Sequence, residues 1–189
     1  MIATVLPNAH FELFEPLATY PGYSSDLADR LRRLQTLHLN PIALGEDNGE
    51  QVICVADDLY GSSLRDRGDI PQTRERTSVK VFRLDDFVTQ NRLPAPDIIK
   101  IDCQGAEDSI LRGGNQTVSQ ADVLFLETWL QRGYGPKTPL LTEIIEMLRP
   151  LSFTIVEIGE KFLDERHRLY SIDAFFCSER LLAKLDLPV

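Results

Sequence analysis

The sequence has no long hydrophobic run. None of its apolar stretches approaches the roughly 18 residues that a membrane-spanning helix needs, so no membrane partner is expected. Its N-terminus, MIATVLPNAHFELFEP, has no basic segment leading into an apolar one, so no secretory signal is read there. Positive charge is short: 20 Lys and Arg stand against 29 Asp and Glu, a formal net charge of -9. Proteins that grip phosphate backbones carry a basic patch, so nucleic acid is not expected as a partner. Cysteine is scarce. Cys54, Cys103 and Cys177 lie far apart, each in an apolar run. There is no Cys-x-x-Cys pair and no Cys/His cluster with zinc spacing, so no metal centre is read. An odd count without a signal points to reduced thiols and a cytoplasmic location. No Walker-type or Gly-x-Gly-x-x-Gly loop is present, which removes the common nucleotide-binding signatures.

What is there fits one soluble domain. A chain of 189 residues can bury a sizeable core, and a hydrophobic fraction of 43% is ordinary for a globular protein. HFELFE (10–15) reads as a strand that Pro16 ends. SSDLADRLRRLQTL (24–37) carries Leu27, Leu31 and Leu34 at helical spacing. LNPIALG (39–45) is a short strand, Asp47-Asn48-Gly49 a turn and QVICVAD (51–57) a second strand, so 41–57 reads as a hairpin or as a strand followed by an edge strand. The polar stretch 58–78 reads as a long surface loop. VKVFRLDDFVTQ (79–90) is a strand, then a helix. IIKID (98–102) is a buried strand, GAEDSILRGGNQTV (105–118) a helix stopped by Gly113-Gly114, and DVLFLET (122–128) another buried strand. A helix over 140–148 and two antiparallel strands, 152–159 and 169–178, close the chain. The alternation predicts an α/β fold with a mostly parallel sheet and an antiparallel C-terminal strand pair. Three strands end on acids: Glu15, Asp102 and Glu127. Ligands of open parallel sheets sit outside the carboxyl ends of the strands, so these acids are expected to converge on one crevice.

KIDCQGAEDSILRGG resembles the signature of FkbM-type methyltransferases, which use S-adenosyl-L-methionine (SAM). Lys100, Ile101, Asp102, Gln104, Gly105, Glu107, Leu111, Arg112 and Gly113 match the pattern Lys-Ile-Asp-x-(Glu/Gln)-Gly-x-Glu, three residues, Leu-(Lys/Arg)-Gly-(Ala/Gly). FELFEP (11–16) resembles the family's acid-ending second strand, IALGEDNGE (42–50) its third strand and turn, YGSSL (60–64) a Gly-Ser loop, VFRLDDF (81–87) a Thr-Leu-Asp-Asp-Phe segment and VLFLET (123–128) its fifth strand. The resemblance covers nearly the whole chain and implies a single methyltransferase-like domain with a Rossmann-like sheet. One element of the family is not found: the opening strand with its glycine-rich turn, roughly Asp-x-Gly-Ala-Asn-x-Gly. With that first strand and helix missing, a gap is expected between the strands ending at Glu15 and Asp102. An unpaired edge there favours association, so a homo-oligomer is one expectation.

The resemblance implies roles for particular residues. Glu15 stands where the family's ribose-binding acid does; the alternative is a surface acid before a proline turn. Asp102 is the catalytic candidate, able to orient or deprotonate a substrate hydroxyl. Leu44, Gly45, Gln104 and Gly105 join Glu15 as candidate cofactor contacts. Asp102 or Gln104 would alternatively cap the helix that follows. Glu107 falls in the first turn of that helix, where an acid is favoured by the dipole whether or not it meets substrate. Glu127, Ser62 and Ser63 complete the candidate substrate contacts. His10, His38, His167, Cys103, Trp129 and Tyr134 are read as packing or surface residues. The function expected is SAM-dependent O-methylation of a hydroxyl on a sugar or secondary metabolite. The alternative is a catalytically inactive methyltransferase-fold protein serving as a binding module.

Overall fold

The computed structural model describes residues 9–21, 36–65 and 73–187. The helix expected over 24–37 falls almost entirely outside them. Nine strands are described: β1 (Phe11–Phe14), β2 (Leu37–Asn40), β3 (Ala43–Leu44), β4 (Gly49–Ala56), β5 (Thr73–Phe82), β6 (Ile98–Ile101), β7 (Val123–Trp129), β8 (Phe153–Leu163) and β9 (Leu169–Ser178). The helices are α1 (Leu84–Asn91), α2 (Glu107–Gly113), α3 (Asn115–Gln120), α4 (Leu141–Leu148) and α5 (Glu179–Lys184).

The strands form three sheets rather than one mostly parallel sheet, which corrects the expectation. Strands β1 and β2 pair in parallel, with Glu12 opposite His38. The second sheet runs β3-β5-β4, parallel and then antiparallel. The third runs β6-β7-β9-β8, with one parallel ladder and two antiparallel ones. Among the described residues no ladder joins β1 to β6. Of the two readings of 41–57 the hairpin is not formed, because β5 lies between β3 and β4; β4 is instead an edge strand. The expected loop over 58–78 is shorter: residues from Thr73 onward belong to β5. Glu75 and Arg76 are exposed although they lie in β5, which is why the charged run RERT carries no strand signal.

The core follows from strand alternation. Successive side chains of a strand point to opposite faces. In β7, Leu124, Leu126 and Thr128 are buried, whereas Val123, Phe125 and Glu127 are partly exposed. In β9, Ile172, Ala174, Phe176 and Ser178 are buried. This inner face meets Ile110 and Leu111 of α2, Val118 of α3, and Ile144 and Leu148 of α4. A smaller cluster gathers Leu17, Ile53 and Val55. The outer face of the four-stranded sheet carries exposed Ile98 and a stacked Phe125–Phe175 pair, centroids 4.4 Å apart.

The helix expected over 105–118 stops at Gly113-Gly114 as α2, and residues from Asn115 form a separate helix, α3. A Cβ on Gly113 would sit 2.8 Å from the Gly45 carbonyl carbon, so the missing side chain lets α2 press against the end of β3. Asp85 of α1 then ties down the new helix start: its carboxylate accepts from the backbone N–H of Gln116 (3.1 Å) and of Thr117 (2.7 Å).

Candidate functional site

The motif Asp102-Cys103-Gln104-Gly105 forms the sharp link from β6 to α2. Gln104 has φ +58° and Gly105 φ +91°, both in the left-handed region. Glycine is required at 105 on two counts, since a Cβ there would also lie 2.6 Å from the Tyr134 Cβ. The link is held from three sides. Ser63 Oγ donates to the Gln104 carbonyl (2.6 Å), and Arg65 Nε donates to the Gly105 carbonyl (2.8 Å). Arg65 also pairs with Asp108, which in turn pairs with Arg112. Tyr134 Oη donates to the Gln104 side-chain carbonyl.

Asp102 extends β6, and its two oxygens have separate partners. Oδ2 accepts from Lys100 Nζ at 2.7 Å, and Oδ1 from Gln104 Nε2 at 3.0 Å. Register then supplies further acids. Ile101 pairs with Leu126, so Asp102 falls beside Glu127; Glu127 itself lies opposite Asp173 of β9. Lys100, Asp102, Glu127 and Asp173 share the outer sheet face, with Lys100 Nζ 5.2 Å from the Phe125 ring centre. Lys100 is the cation that opposes these carboxylates.

That crowding shifts their acidity. Burial, then the like charges of Asp102, Glu107 and Asp173, push Glu127 up to about 8, against a small opposing pull from Lys100. Asp173 is raised as well, chiefly by burial. Glu107 is fully buried, and burial raises it; its Oε1 accepts from the Gly105 N–H at 2.9 Å. The Cys103 thiol and the Trp129 indole lie next to the Glu107 carboxyl and favour its charged form, yet no strict hydrogen bond forms to the indole. Three buried polar atoms are left without a partner here: Glu107 Oε2, Glu127 Oε2 and Trp129 Nε1. Burying such atoms unpaired costs stability. Their grouping at the ends of β6 and β7 marks the place where a ligand would repay it. Burial pushes the Cys103 thiol well up, which agrees with a packing role.

The structure brings together Asp102, Gln104, Gly105, Glu107 and Glu127. Ser63 touches this group through the Gln104 carbonyl, and the remaining candidates have contacts of their own. Glu15 ends the β1–β2 pair, where its Oε1 accepts from the Leu17 N–H at 2.9 Å. Leu44 packs on the main core, and Gly45 donates to the Phe82 carbonyl and underlies Gly113. Ser62 Oγ donates to the Leu59 carbonyl and accepts from the Ala56 N–H, which makes it part of its own loop. Ser63 is 2% exposed, clamped to the β6–α2 link. Sequence reading missed Asp173, Arg65 and Asp108. Asp173 alternates with the buried positions of β9, but only the register shows that it faces Glu127. A cavity of about 640 Å³ lies to one side, between Arg65, Asp108 and Arg112 and the pair Arg132–Glu143. It includes none of Glu15, Asp102 and Glu127, so it is not the crevice expected at the acid-ending strands.

The family model for the methyltransferase FkbM domain matches residues 4–155. The chain belongs to the FkbM methyltransferase family. Its matched span takes in the β6–α2 link and the acid-bearing β7. Over 147 residues the chain is 25% identical to a "2-O-methyltransferase NoeI" of Sinorhizobium fredii (strain NBRC 101917 / NGR234), covering 71% of this chain. It spans only 59% of that relative's length. The crystal structure of an FkbM methyltransferase from Methylobacillus flagellatus KT aligns with a TM-score of 0.56 at 17% identity. That alignment covers 93% of this chain and 39% of the other, and it shows likeness of fold. No helix among the described residues is long and apolar enough to cross a membrane.

Proposed function

We propose that this chain takes part in SAM-dependent methyl transfer to a hydroxyl oxygen, on a sugar or secondary metabolite. The observation that carries the reading is the carboxylate group at the ends of β6 and β7, with two buried oxygens lacking partners. A sulfonium cofactor is a cation, and unpaired carboxylate oxygens crowded by like charge fit a cation. The relative described as a 2-O-methyltransferase supports oxygen as the acceptor atom.

When bound, SAM supplies an electrophilic methyl group. The residues of this chain then have distinct tasks. Glu15 is the ribose acid, because a carboxylate accepts from both hydroxyls of a diol. Leu44 and Gly45, with Gln104 and Gly105, line the cofactor's path, and the clamp from Ser63, Arg65 and Tyr134 keeps the 104–105 backbone rigid. Asp102 is held by Lys100 and Gln104, which suits a group that orients the acceptor hydroxyl. Glu127, its pKa pushed up to about 8, holds its own proton at neutral pH, and is able to take that hydroxyl's proton once a bound cation has drawn the pKa back down. Glu107 and Ser63 act through the backbone they hold, and Ser62 through its loop. A small hydroxylated molecule is the partner this site would take.

Calorimetric titration with S-adenosylhomocysteine tests the reading. Saturable binding that Glu15→Ala weakens at least tenfold is the expected result. A folded chain that binds neither S-adenosylhomocysteine nor SAM overturns it, and favours the second reading, a methyltransferase-fold binding module. The lack of any ladder between β1 and β6 among the described residues is the observation that keeps that second reading open.

A further inference from the structure

Away from the acid-lined crevice, the β1–β2 pair carries a second group of chemistry-bearing side chains. His10 and Glu12 are two residues apart, so alternation puts them on one face. The parallel register sets His38 opposite Glu12, and Asn40 lies two residues further along the same face. The side chains meet. His10 Nε2 is 2.9 Å from Glu12 Oε1, and His38 Nδ1 is 3.2 Å from the same oxygen. Asn40 Nδ2 donates to the other oxygen, Oε2, at 2.9 Å. The histidine rings meet edge to face, with centroids 4.8 Å apart.

We propose that His10, Glu12 and His38 form a binding site for one divalent transition-metal ion of the zinc class. Two imidazoles and a carboxylate are a donor set that such ions prefer, whereas magnesium and calcium favour all-oxygen sites. The spacing agrees. Metal–ligand bonds of about 2.0–2.1 Å in a tetrahedron place neighbouring donor atoms about 3.3 Å apart. Two of the three separations are already within a few tenths of an ångström of that value, and the three donor atoms all lie within 4.8 Å of one another. The remaining adjustment is a ring rotation, which the exposed side chains of His10 (50%) and His38 (68%) allow. Glu12, at 17%, is the fixed member. Asn40 orients its carboxylate from outside the donor set, the arrangement that tunes many metal sites. Three protein donors leave a fourth position for water. Without the ion, both imidazole nitrogens can only donate to the same oxygen; with it, both turn lone pairs to the metal.

The position suggests a use. β1 and β2 pair only with each other among the described strands, and an isolated two-stranded sheet is marginal. An ion there clips two strands whose paired residues are 26 positions apart, and a clip that closes a long loop gains most from loop entropy.

The test is titration of the chelator-treated protein with Zn²⁺ by calorimetry, with the visible spectrum of the Co²⁺ form as a second readout. The expected result is one saturable site, weakened at least tenfold by His10→Ala and by His38→Ala, with a Co²⁺ spectrum free of thiolate charge-transfer bands. Glu12→Gln, which keeps the size and most hydrogen bonds, is expected to weaken it similarly. A site that survives in the His10→Ala/His38→Ala double variant, thiolate bands pointing to Cys54, Cys103 or Cys177, or no saturable Zn²⁺ binding would each overturn the proposal. The last outcome would leave the cluster a plain His–Glu hydrogen-bond group.

Discussion

Replacing Glu127 by glutamine isolates the feature that sets this crevice apart. The carboxyl is buried beside three other acids, and its pKa stands at about 8 against an ordinary 4.5. An acid whose pKa is raised by folding holds its proton more tightly folded than unfolded. Its contribution is therefore fully present below about pH 4.5 and is lost as pH rises through about 8. The gap corresponds to about 5 kcal/mol at 1.36 kcal/mol per pKa unit, before any screening. Glu127 is only partly buried, and solvent screening is expected to leave roughly 2 kcal/mol. Urea melts of the wild-type chain and of Glu127→Gln at pH 5 and pH 9 read this directly. The wild-type should lose about 2 kcal/mol more than the variant between those two pH values. At pH 9 Glu127→Gln should be the more stable protein, although it removes a carboxylate from the proposed site. Parallel stability–pH curves for the two proteins would refute the crowding argument, because Glu127 would then titrate as an ordinary surface acid. If the crevice takes a cation, saturating SAM should flatten the wild-type curve as well, since the bound charge pulls the pKa of Glu127 back down.

Two further substitutions test how the site is held. Gly113→Ala should cost about 3 kcal/mol or more, because its Cβ would overlap the Gly45 backbone where neither chain can yield; an unchanged thermal midpoint would show that α2 and β3 do not approach so closely. Asp85→Ala removes the cap that α1 gives to α3 and should cost about 1 kcal/mol, a fall of roughly 2–4 °C in Tm, whereas Asp85→Asn should retain part of the cap and lose less.

Much of this molecule is legible in order along the chain. The strands at 98–101, 123–129 and 169–178 and the helix at 141–148 follow from periodicity and punctuation, because each buries one face against the same core, and the helix at 84–91 follows from its acidic start. The KIDCQG stretch announces its own turn, since Gly105 must adopt a positive φ and admit Tyr134. What the sequence does not carry is which strand lies beside which. The alternation of β9 reveals that Asp173 faces away from the core, yet nothing local says that its neighbour is Glu127. The start of β5 is largely exposed, so Glu75 and Arg76 read as loop until its ladder with β4 is known.

The Glu127 and Glu12 groups depend on that missing information in opposite ways. Around Glu127, the register gathers like charges from β6, β7 and β9, and the result is raised acidity and oxygens without partners. Around Glu12, the register of β1 and β2 gathers unlike partners, two imidazoles and an amide on one carboxylate, and its pKa falls: burial opposes the change, but the Asn40 and histidine contacts outweigh it. Crowded acids without partners are a costly arrangement for a fold to keep empty, and they fit a cationic ligand that comes and goes. A carboxylate already satisfied by nitrogen donors loses little when empty, and it fits an ion that stays. On the two proposals, the acid group at β6 and β7 is the place of turnover and the β1–β2 cluster a structural one, and both groups are assembled by strand register.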